Sequence, residues 1–283
     1  MILLAITLIM VTLLTSGCSS TRLAYRYADW GAVWWVEDRV TLTPPQKQQL
    51  NVDLESLKKW HCSKELPRYS AWLDSLQGTL ASGDLGPTEI NNLQIQMMTF
   101  IPPLLKQITP AAVNLFSSLS DEQVNELAGN MVEKRRKFEE KFLVGDAEEI
   151  AKARSERTAE RAEQWLGSLN STQQRIIKDW SEDRIGQTRI WLEGRRNWQK
   201  ALLNALDNRH EPGFKDTITE LINNSAVARG DGYTEIMNRS IEAMASLIQD
   251  LLLASEPSHL DHLAERASKL HGDFEALTCT QDF

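Results

Sequence analysis

The sequence predicts an all-α protein, an elongated bundle of about ten helices. Apolar residues recur at spacings of three and four along almost the whole chain, which is the period of one face of a helix. No run of alternating β-branched residues bounded by turn signals is present, which argues against strands. Of the nine prolines, seven stand just before a helical pattern, as expected for proline in a first helical turn.

The helical pattern and its interruptions divide the chain into the following elements. In order, the expected helices span residues 24–40, 44–62, 67–82, 87–100, 103–118, 121–144, 147–167, 171–208, 213–229 and 232–273, the last interrupted near Pro257.

Three of these helices begin with the same local signal, at Leu42–Gln46, Leu119–Gln123 and Leu169–Gln173. Each has a leucine, then a Thr, Ser or Asn, and a glutamine three residues after that polar residue. The pattern predicts a capping box, in which the polar side chain accepts from the third backbone N–H of the helix and the glutamine reaches back. The intervals between the three signals are unequal, so they do not indicate a regular repeat.

The N-terminal stretch indicates where the protein is located. Residues 1–14 are apolar except for two threonines, too short to span a bilayer but typical of a signal peptide. The small residues that follow lead to Cys18, and this arrangement resembles the lipobox of bacterial lipoproteins. We therefore expect a signal peptide at residues 1–17 and a lipid on Cys18, with Ser19 favouring the outer membrane and a body in the periplasm. The alternative is an ordinary secretory signal with a chance cysteine.

Charge and composition narrow the function classes and suggest a division of the chain. The formal net charge of −8 argues against nucleic-acid binding, which needs a basic surface. Residues 133–163 carry nine basic and nine acidic residues, which indicates a solvated, salt-bridge-laced helix or a long arm. We place a boundary there, between helical regions 18–145 and 146–283, which alternatively form one continuous domain.

Two cysteines remain if Cys18 carries a lipid. Because the periplasm is oxidising, Cys62 and Cys279 are predicted to form a disulfide. The alternative is two unpaired buried thiols.

Two further strings carry a family resemblance, YRYADWGAVWWVEDRVTLTPPQ from Tyr25 and WHCSKELPRY from Trp60. Together with the lipobox they resemble an uncharacterised family of helical Gram-negative lipoproteins, catalogued as a domain of unknown function. The second block is filled by Trp60, His61, Glu65, Leu66, Pro67 and Tyr69. The resemblance implies envelope location and helical content only. More weakly, the LTxxQ helix start at Leu42 is similar to that of Spy/CpxP-type periplasmic chaperones.

Aromatic residues near the N-terminus allow two interpretations. Tyr27, Trp30 and Trp34 share one face of the first expected helix. That face either packs in the core, which we favour, or anchors the chain at the lipid headgroups.

A second aromatic set forms the candidate binding surface. Trp180, Trp191 and Trp198 fall on one face of the expected helix, with Arg184 and Arg195 each four residues after a tryptophan. The set is either an exposed stripe that grips glycan, peptide or phospholipid headgroups, or a core stripe flanked by arginines, and the spacing favours the core.

No catalytic motif and no cofactor motif is present, so we expect a protein that is not an enzyme. His259, His262 and Glu265 share a helical face but lack the spacings of zinc sites, so no metal is predicted. We read His61 as a structural, hydrogen-bonded histidine.

The expected function is that of a membrane-tethered envelope protein that binds another protein or an envelope polymer such as peptidoglycan through helical surfaces. The alternatives are a Spy/CpxP-like chaperone, which a concave apolar face would favour, and a peptidoglycan-processing enzyme. A cleft holding a carboxyl group of raised pKa would favour the enzyme.

Overall fold

The all-α prediction is confirmed. The computed structural model describes residues 20–143, 145–184 and 186–279, and about 85% of the chain is helical with no strand in the described part. The predicted signal peptide and Cys18 lie outside the described residues. Nowhere in the described ranges is a helix both long and apolar enough to cross a membrane.

The helices follow one another closely, joined by short turns. They are α1 (Ser20–Arg26), α2 (Ala28–Glu37), α3 (Pro44–Trp60), α4 (Leu66–Ser82), α5 (Pro87–Met98), α6 (Ile101–Ser117), α7 (Asp121–Phe142), α8 (Ala147–Leu166), α9 (Ser171–Glu182), α10 (Gln187–Asp207), α11 (Phe214–Asn223), α12 (Ser225–Arg229), α13 (Asp231–Leu253) and α14 (Pro257–Leu277).

The expected single helix over residues 171–208 is wrong. Helix α9 ends at Glu182 and α10 begins at Gln187. Gly186 precedes α10 with a φ of 90°, in the left-handed region that favours glycine, so the helix cannot continue through it. The expected interruption near Pro257 is confirmed, because Pro257 is the first residue of α14.

Helices α3 and α4 are joined without the predicted gap. A π-helical segment, His61–Glu65, connects them, and the Leu66 N–H donates to the His61 carbonyl five residues earlier. Pro67 follows this widened turn directly, and because proline has no N–H, the series of intrahelical hydrogen bonds is interrupted at this position. The widened turn falls within the sequence block that carries the family resemblance.

Three apolar clusters hold the fold together. The first joins α2, α3, α6 and α7 to α10 and α11 around Leu206 and Ile218, both fully buried. The second joins α8, α9, α13 and α14 around Ile177, and the third packs α4 and α5 against Ala267 of α14. The first and third clusters combine residues from before and after position 145, which favours the continuous-domain alternative.

All three predicted capping boxes are present, at the starts of α3, α7 and α9. The starts of α3 and α7 also face each other. The Gln46 side chain donates to the Ser118 carbonyl at 2.7 Å and the Gln123 side chain donates to the Thr41 carbonyl at 2.6 Å. The two amide groups also bond to each other at 2.8 and 2.9 Å. The side chains of Gln46 and Gln123 thus cap their own helices and also connect the two helix starts.

The start of α9 is joined to the end of α13 and to the turn that leads into α14. Gln173 is fully buried and donates to the Leu251 carbonyl and to the Ser255 hydroxyl, both at 3.2 Å. On the other side, His259 accepts from the Glu256 N–H through Nδ1, so its Nε2–H donates to the Ser168 carbonyl at 3.0 Å. His259 is therefore a capping residue of α14, which accounts for its burial.

Candidate functional site

A groove of about 300 Å³ opens between α7, α8, α9, α10 and α13. Its aromatic walls are Phe138 and Phe142 of α7, Trp180 of α9 and Trp191 of α10. We call it the arginine–aromatic groove, because Arg154 and Arg184 also line it.

The aromatic rings of the groove are arranged by direct contacts. The Phe138 ring stacks on Phe142 with centroids 4.2 Å apart and meets Trp191 at 5.2 Å. Trp180 is oriented by its indole N–H, which donates to the Ala243 carbonyl of α13 at 2.9 Å. Each ring is thus held in place by a neighbouring helix.

Helix α13 closes the groove with apolar side chains, among them Ile236, Met237 and Met244. It approaches α10 closely at Gly194, where an added Cβ would overlap the ring of Tyr233. A glycine at this point is what lets the two helices bring their groove-lining residues together.

The two arginines are held by neutral groups. The Arg184 guanidinium lies over the Trp180 ring, 4.3 Å from its centroid, and the residue is only 7% exposed. Arg154 donates to the Ser181 carbonyl at 3.0 Å and to the Thr188 hydroxyl at 2.9 Å. A cation over an indole and a cation on neutral oxygens both keep their full positive charge.

Two more arginines lie at the rim. Arg157 stacks on Phe142 at 5.0 Å, and Arg195 lies 5.3 Å from the Phe138 centroid and 5.6 Å from that of Trp191. In the described part of the chain, none of the four arginines forms an ion pair, neither Arg154 and Arg184 in the groove nor Arg157 and Arg195 at its rim. Among the residues that the structure describes, no acidic side chain lines the groove.

Burial and mutual repulsion act on these charges. Burial lowers the pKa of Arg154, Arg184 and Arg195, and for Arg154 the neighbouring Arg184 and Arg157 lower the pKa further. Arginine nevertheless stays protonated in proteins. The groove therefore concentrates positive charge beside apolar surface, offset in part at Arg184 by the neighbouring Asp183, and a bound anion would relieve the cost of that arrangement.

The structure brings together part of the candidate binding set. Trp180, Arg184 and Trp191 share the groove and Arg195 stacks at its rim. Trp198 lies elsewhere, because it packs on the first apolar cluster and donates its indole N–H to the Leu221 carbonyl at 2.7 Å. The single stripe expected from a continuous helix is wrong, and the break before α10 is the reason.

Phe138, Phe142 and Arg154 were missed because they lie in the charge-balanced stretch 133–163. The expected salt bridges on a solvated helix surface are present on α7, where Arg136 pairs with Glu133 and Glu140. The available signal was the pair of phenylalanines at a spacing of four, which places both rings on one face of α7.

The favoured core interpretation of the first aromatic set is wrong. Tyr27, Trp30 and Trp34 are 56%, 69% and 60% exposed. Val33, on the opposite face of α2, is the residue that enters the core, at 5% exposure.

The residues of the family-like block form a structural joint. The Tyr25 hydroxyl and His61 Nδ1 share a hydrogen bond at 3.0 Å, and burial raises the pKa of Tyr25 to about 12, which keeps the phenol protonated. His61 also contacts the Tyr69 ring at 5.5 Å. Glu65 is almost fully buried and receives two hydrogen bonds from Arg68, at 2.7 and 2.8 Å.

The two remaining cysteines meet at the same joint. Their sulfur atoms lie 2.08 Å apart, at disulfide distance, and their Cα atoms are 5.2 Å apart, within the range of a bridge. The Cys279 N–H also donates to the Cys62 carbonyl at 3.2 Å. The predicted proximity of Cys62 and Cys279 is confirmed.

His61 is expected to make the stability of the fold depend on pH. Burial lowers its pKa from the ordinary 6.5, with Glu65 opposing the shift, so the folded state takes up the proton less readily than the unfolded state. The contribution of neutral His61 is therefore present above about pH 6.5 and is lost as the pH falls toward its folded-state pKa. Urea unfolding at a series of pH values should give a shallower acid loss for His61→Gln than for the wild type, with His210→Gln as an exposed control. Identical pH dependence in wild type and His61→Gln would contradict this.

No group of three potential metal ligands converges anywhere in the ranges that the structure describes. His262 lies against Gly167, and Glu265 is exposed. His271 contacts Asp74 at 3.1 Å and Glu275 at 3.5 Å. These side chains serve packing and surface contacts.

A family model described as "Family of unknown function (DUF6279)" matches residues 38–234. The chain belongs to this family. In this DUF6279 member the matched range contains both the Trp60–Tyr69 block and every residue of the groove from Phe138 to Trp191. No curated protein and no solved structure matches the chain.

Proposed function

We propose that this DUF6279 protein is a lipid-anchored envelope protein that binds a protein or an envelope polymer through the arginine–aromatic groove, without catalysing a reaction. The observation that carries the proposal is the groove itself, in which two arginines without acidic partners lie among four aromatic rings. The anchor is the lipid on Cys18, and the body faces the periplasm from the outer membrane.

The tether rests on the N-terminal sequence. An apolar stretch too short to span a bilayer leads through small residues to Cys18. Helix α1 begins at Ser20, two residues later, so the folded body follows the lipid attachment point directly.

The groove chemistry defines the part of the partner that it contacts. The planar guanidinium of arginine pairs with carboxylate or phosphate groups through two parallel hydrogen bonds. The rings and the methionines of α13 offer a surface to an apolar side chain or a sugar ring. An acidic protein segment and the carboxylate-bearing peptides of peptidoglycan both combine these groups.

Carboxyl groups give the hydrolase alternative no support. A glycan-cleaving acid needs a raised pKa. The carboxyl groups of Asp29, Asp38, Asp121, Glu122 and Glu133 have a lowered pKa instead.

Two experiments test the proposal. Metabolic labelling with palmitate should mark the wild type and not Cys18→Ala, and equal labelling of both would refute the tether. For the groove, a photo-crosslinking residue in place of Met244 is used in cells to capture the partner.

The groove experiment has a matched control. Combining Arg154→Gln with Arg184→Gln should reduce capture at least about tenfold, since each charged hydrogen bond contributes roughly 1.5–3 kcal/mol. Arg239→Gln changes an exposed arginine of α13 that pairs with Glu235, and should capture normally. Undiminished capture by the double variant would refute the groove as the site. Capture of many unrelated unfolded proteins would support the chaperone alternative. Release of cut glycan strands by the purified protein would support the peptidoglycan-processing alternative.

A further inference from the structure

We propose that the outer face of α1 and α2 lies in the headgroup region of the bilayer and orients the body on the membrane. This face, the aromatic stripe, consists of Leu23, Tyr27, Trp30 and Trp34. The proposal goes beyond the tether and the groove, and it rests on the proposed function only for the lipid on Cys18.

The four residues of the stripe form one exposed surface. They follow one another at spacings of four, three and four, which places them on one side of a helical path. All are more than half exposed, from 52% at Leu23 to 69% at Trp30. Tryptophan and tyrosine are enriched at membrane interfaces because their rings are apolar and carry a polar tip.

The opposite face of the same helices is bound to the body. Arg22 forms an ion pair with Asp273 of α14 at 2.7 Å, and Tyr25 bonds His61 of the joint. The Lys58 ammonium donates to the Arg26 carbonyl at 2.9 Å, and Val33 is buried in the first apolar cluster. The stripe is therefore held outward and cannot turn into the core without breaking these contacts.

The charges around the stripe suit an anionic membrane surface. The Arg26 side chain is exposed beside it, and Arg39 lies over the neighbouring Trp35 ring at 3.6 Å. The acidic groups of this segment are engaged: Asp29 pairs with Lys58, Glu37 pairs with Lys47, and Asp38 pairs with Lys134 and Arg39. Cations beside interfacial aromatic rings strengthen attraction to anionic lipids.

The length of chain before α1 selects the bilayer as the occupant. Only Ser19 separates Cys18 from the first residue of α1, and an extended chain covers at most about 3.6 Å per residue. A lipid on Cys18 therefore places the start of α1 within about 7 Å of the headgroups. The stripe extends about 17 Å along its helical path, so this separation is shorter than the stripe itself and leaves the stripe within reach of the bilayer.

Vesicle binding by the chain without its lipid tests the stripe separately from the tether. The mature chain from residue 18 with Cys18→Ser retains every described contact, because these contacts lie within residues 20–279. It is mixed with vesicles of phosphatidylethanolamine and a minor share of phosphatidylglycerol, and the partition coefficient is measured by flotation. We expect binding with a blue shift of tryptophan emission, and a loss of about tenfold or more in Trp30→Ser/Trp34→Ser.

A matched control removes equally exposed apolar side chains elsewhere. Ile95→Ser/Val227→Ser changes residues that are 56% and 76% exposed on α5 and α12, and should bind vesicles like the parent. Failure of the parent to bind, or equal binding by the tryptophan variant, overturns the proposal. So does a dimer that the tryptophan variant disrupts without any vesicle binding, since the stripe would then contact a second copy. None of these results depends on palmitate labelling of Cys18 or on capture at the groove.

Discussion

Replacing Cys62 and Cys279 together with serine is expected to lower the free energy of unfolding by about 2–5 kcal/mol. The two cysteines are 217 positions apart, and a cross-link across so long a loop removes much of the conformational freedom of the unfolded chain. The loop-closure relation gives an upper figure of roughly 5 kcal/mol for this length. Urea unfolding of the oxidised wild type and of the double variant measures the difference.

Two comparisons isolate the cross-link from side-chain packing. Cys62 is buried, so Cys62→Ser alone also places a hydroxyl in the core. The wild type unfolded with a reducing agent lacks the bridge but keeps both sulfur atoms, and it should lose stability by a comparable amount. A reduced protein as stable as the oxidised one would show that the bridge contributes nothing.

Gln173→Leu is expected to destabilise the protein by about 2–4 kcal/mol. The amide of Gln173 is fully buried and accepts from the Asn170 N–H at 3.1 Å, besides donating to α13 and the turn after it. Leucine fills a similar volume but leaves the Asn170 N–H unpaired, which costs about 1–3 kcal/mol, and removes one of the two hydrogen bonds to the Leu251 carbonyl, which keeps the Ser255 hydroxyl at 2.9 Å. Each lost hydrogen bond adds about 0.5–1.5 kcal/mol.

The neighbouring Gln174 provides the control for this prediction. Its side chain is exposed on the same helix, with one hydrogen bond to the Leu169 carbonyl. Gln174→Leu should therefore cost less than about 1 kcal/mol in the same urea experiment. Equal losses in the two variants would mean that the joint between α9 and the end of α13 is not what Gln173 stabilises.

The two proposed surfaces lie in different parts of the sequence. The aromatic stripe immediately follows the proposed lipid attachment point, whereas the groove is built from helices between Phe138 and Met244. In the proposed arrangement the stripe would set the orientation of the body and the groove would receive the partner. The ion pair of Arg22 with Asp273 connects α1 to α14, and the Cys62–Cys279 pair connects the end of α14 to the segment between α3 and α4. These contacts would transmit the orientation of α1 to the rest of the fold.

Local sequence signals were sufficient for the all-α class and for the three capped helix starts. The capping boxes at Thr43, Ser120 and Asn170 each depend on side chains within four consecutive residues, so no tertiary contact is needed to form them. The proximity of Cys62 and Cys279 was also predictable, because no other cysteine remains once Cys18 is assigned to the lipid.

The direction in which each helical face points was not predictable from spacing. Trp30 and Trp34 share a face of α2, but Val33 and Val36 make the opposite face apolar as well, so periodicity cannot tell which side enters the core. The packing of α2 against α3 decided it, since the valines fit the first cluster and the larger indoles were left outside.

The groove likewise depends on packing between distant segments. The residues Trp180 and Arg184 were identifiable as a pair. The phenylalanine rings that share the groove with them belong to α7 and the closing side chains belong to α13, more than 35 positions away in either direction. One glycine, Gly186, turns the chain so that α9 and α10 present their tryptophans to the same space. A helical pattern records the period of a segment and not the partners that its faces meet, because those are set by how all the segments pack together.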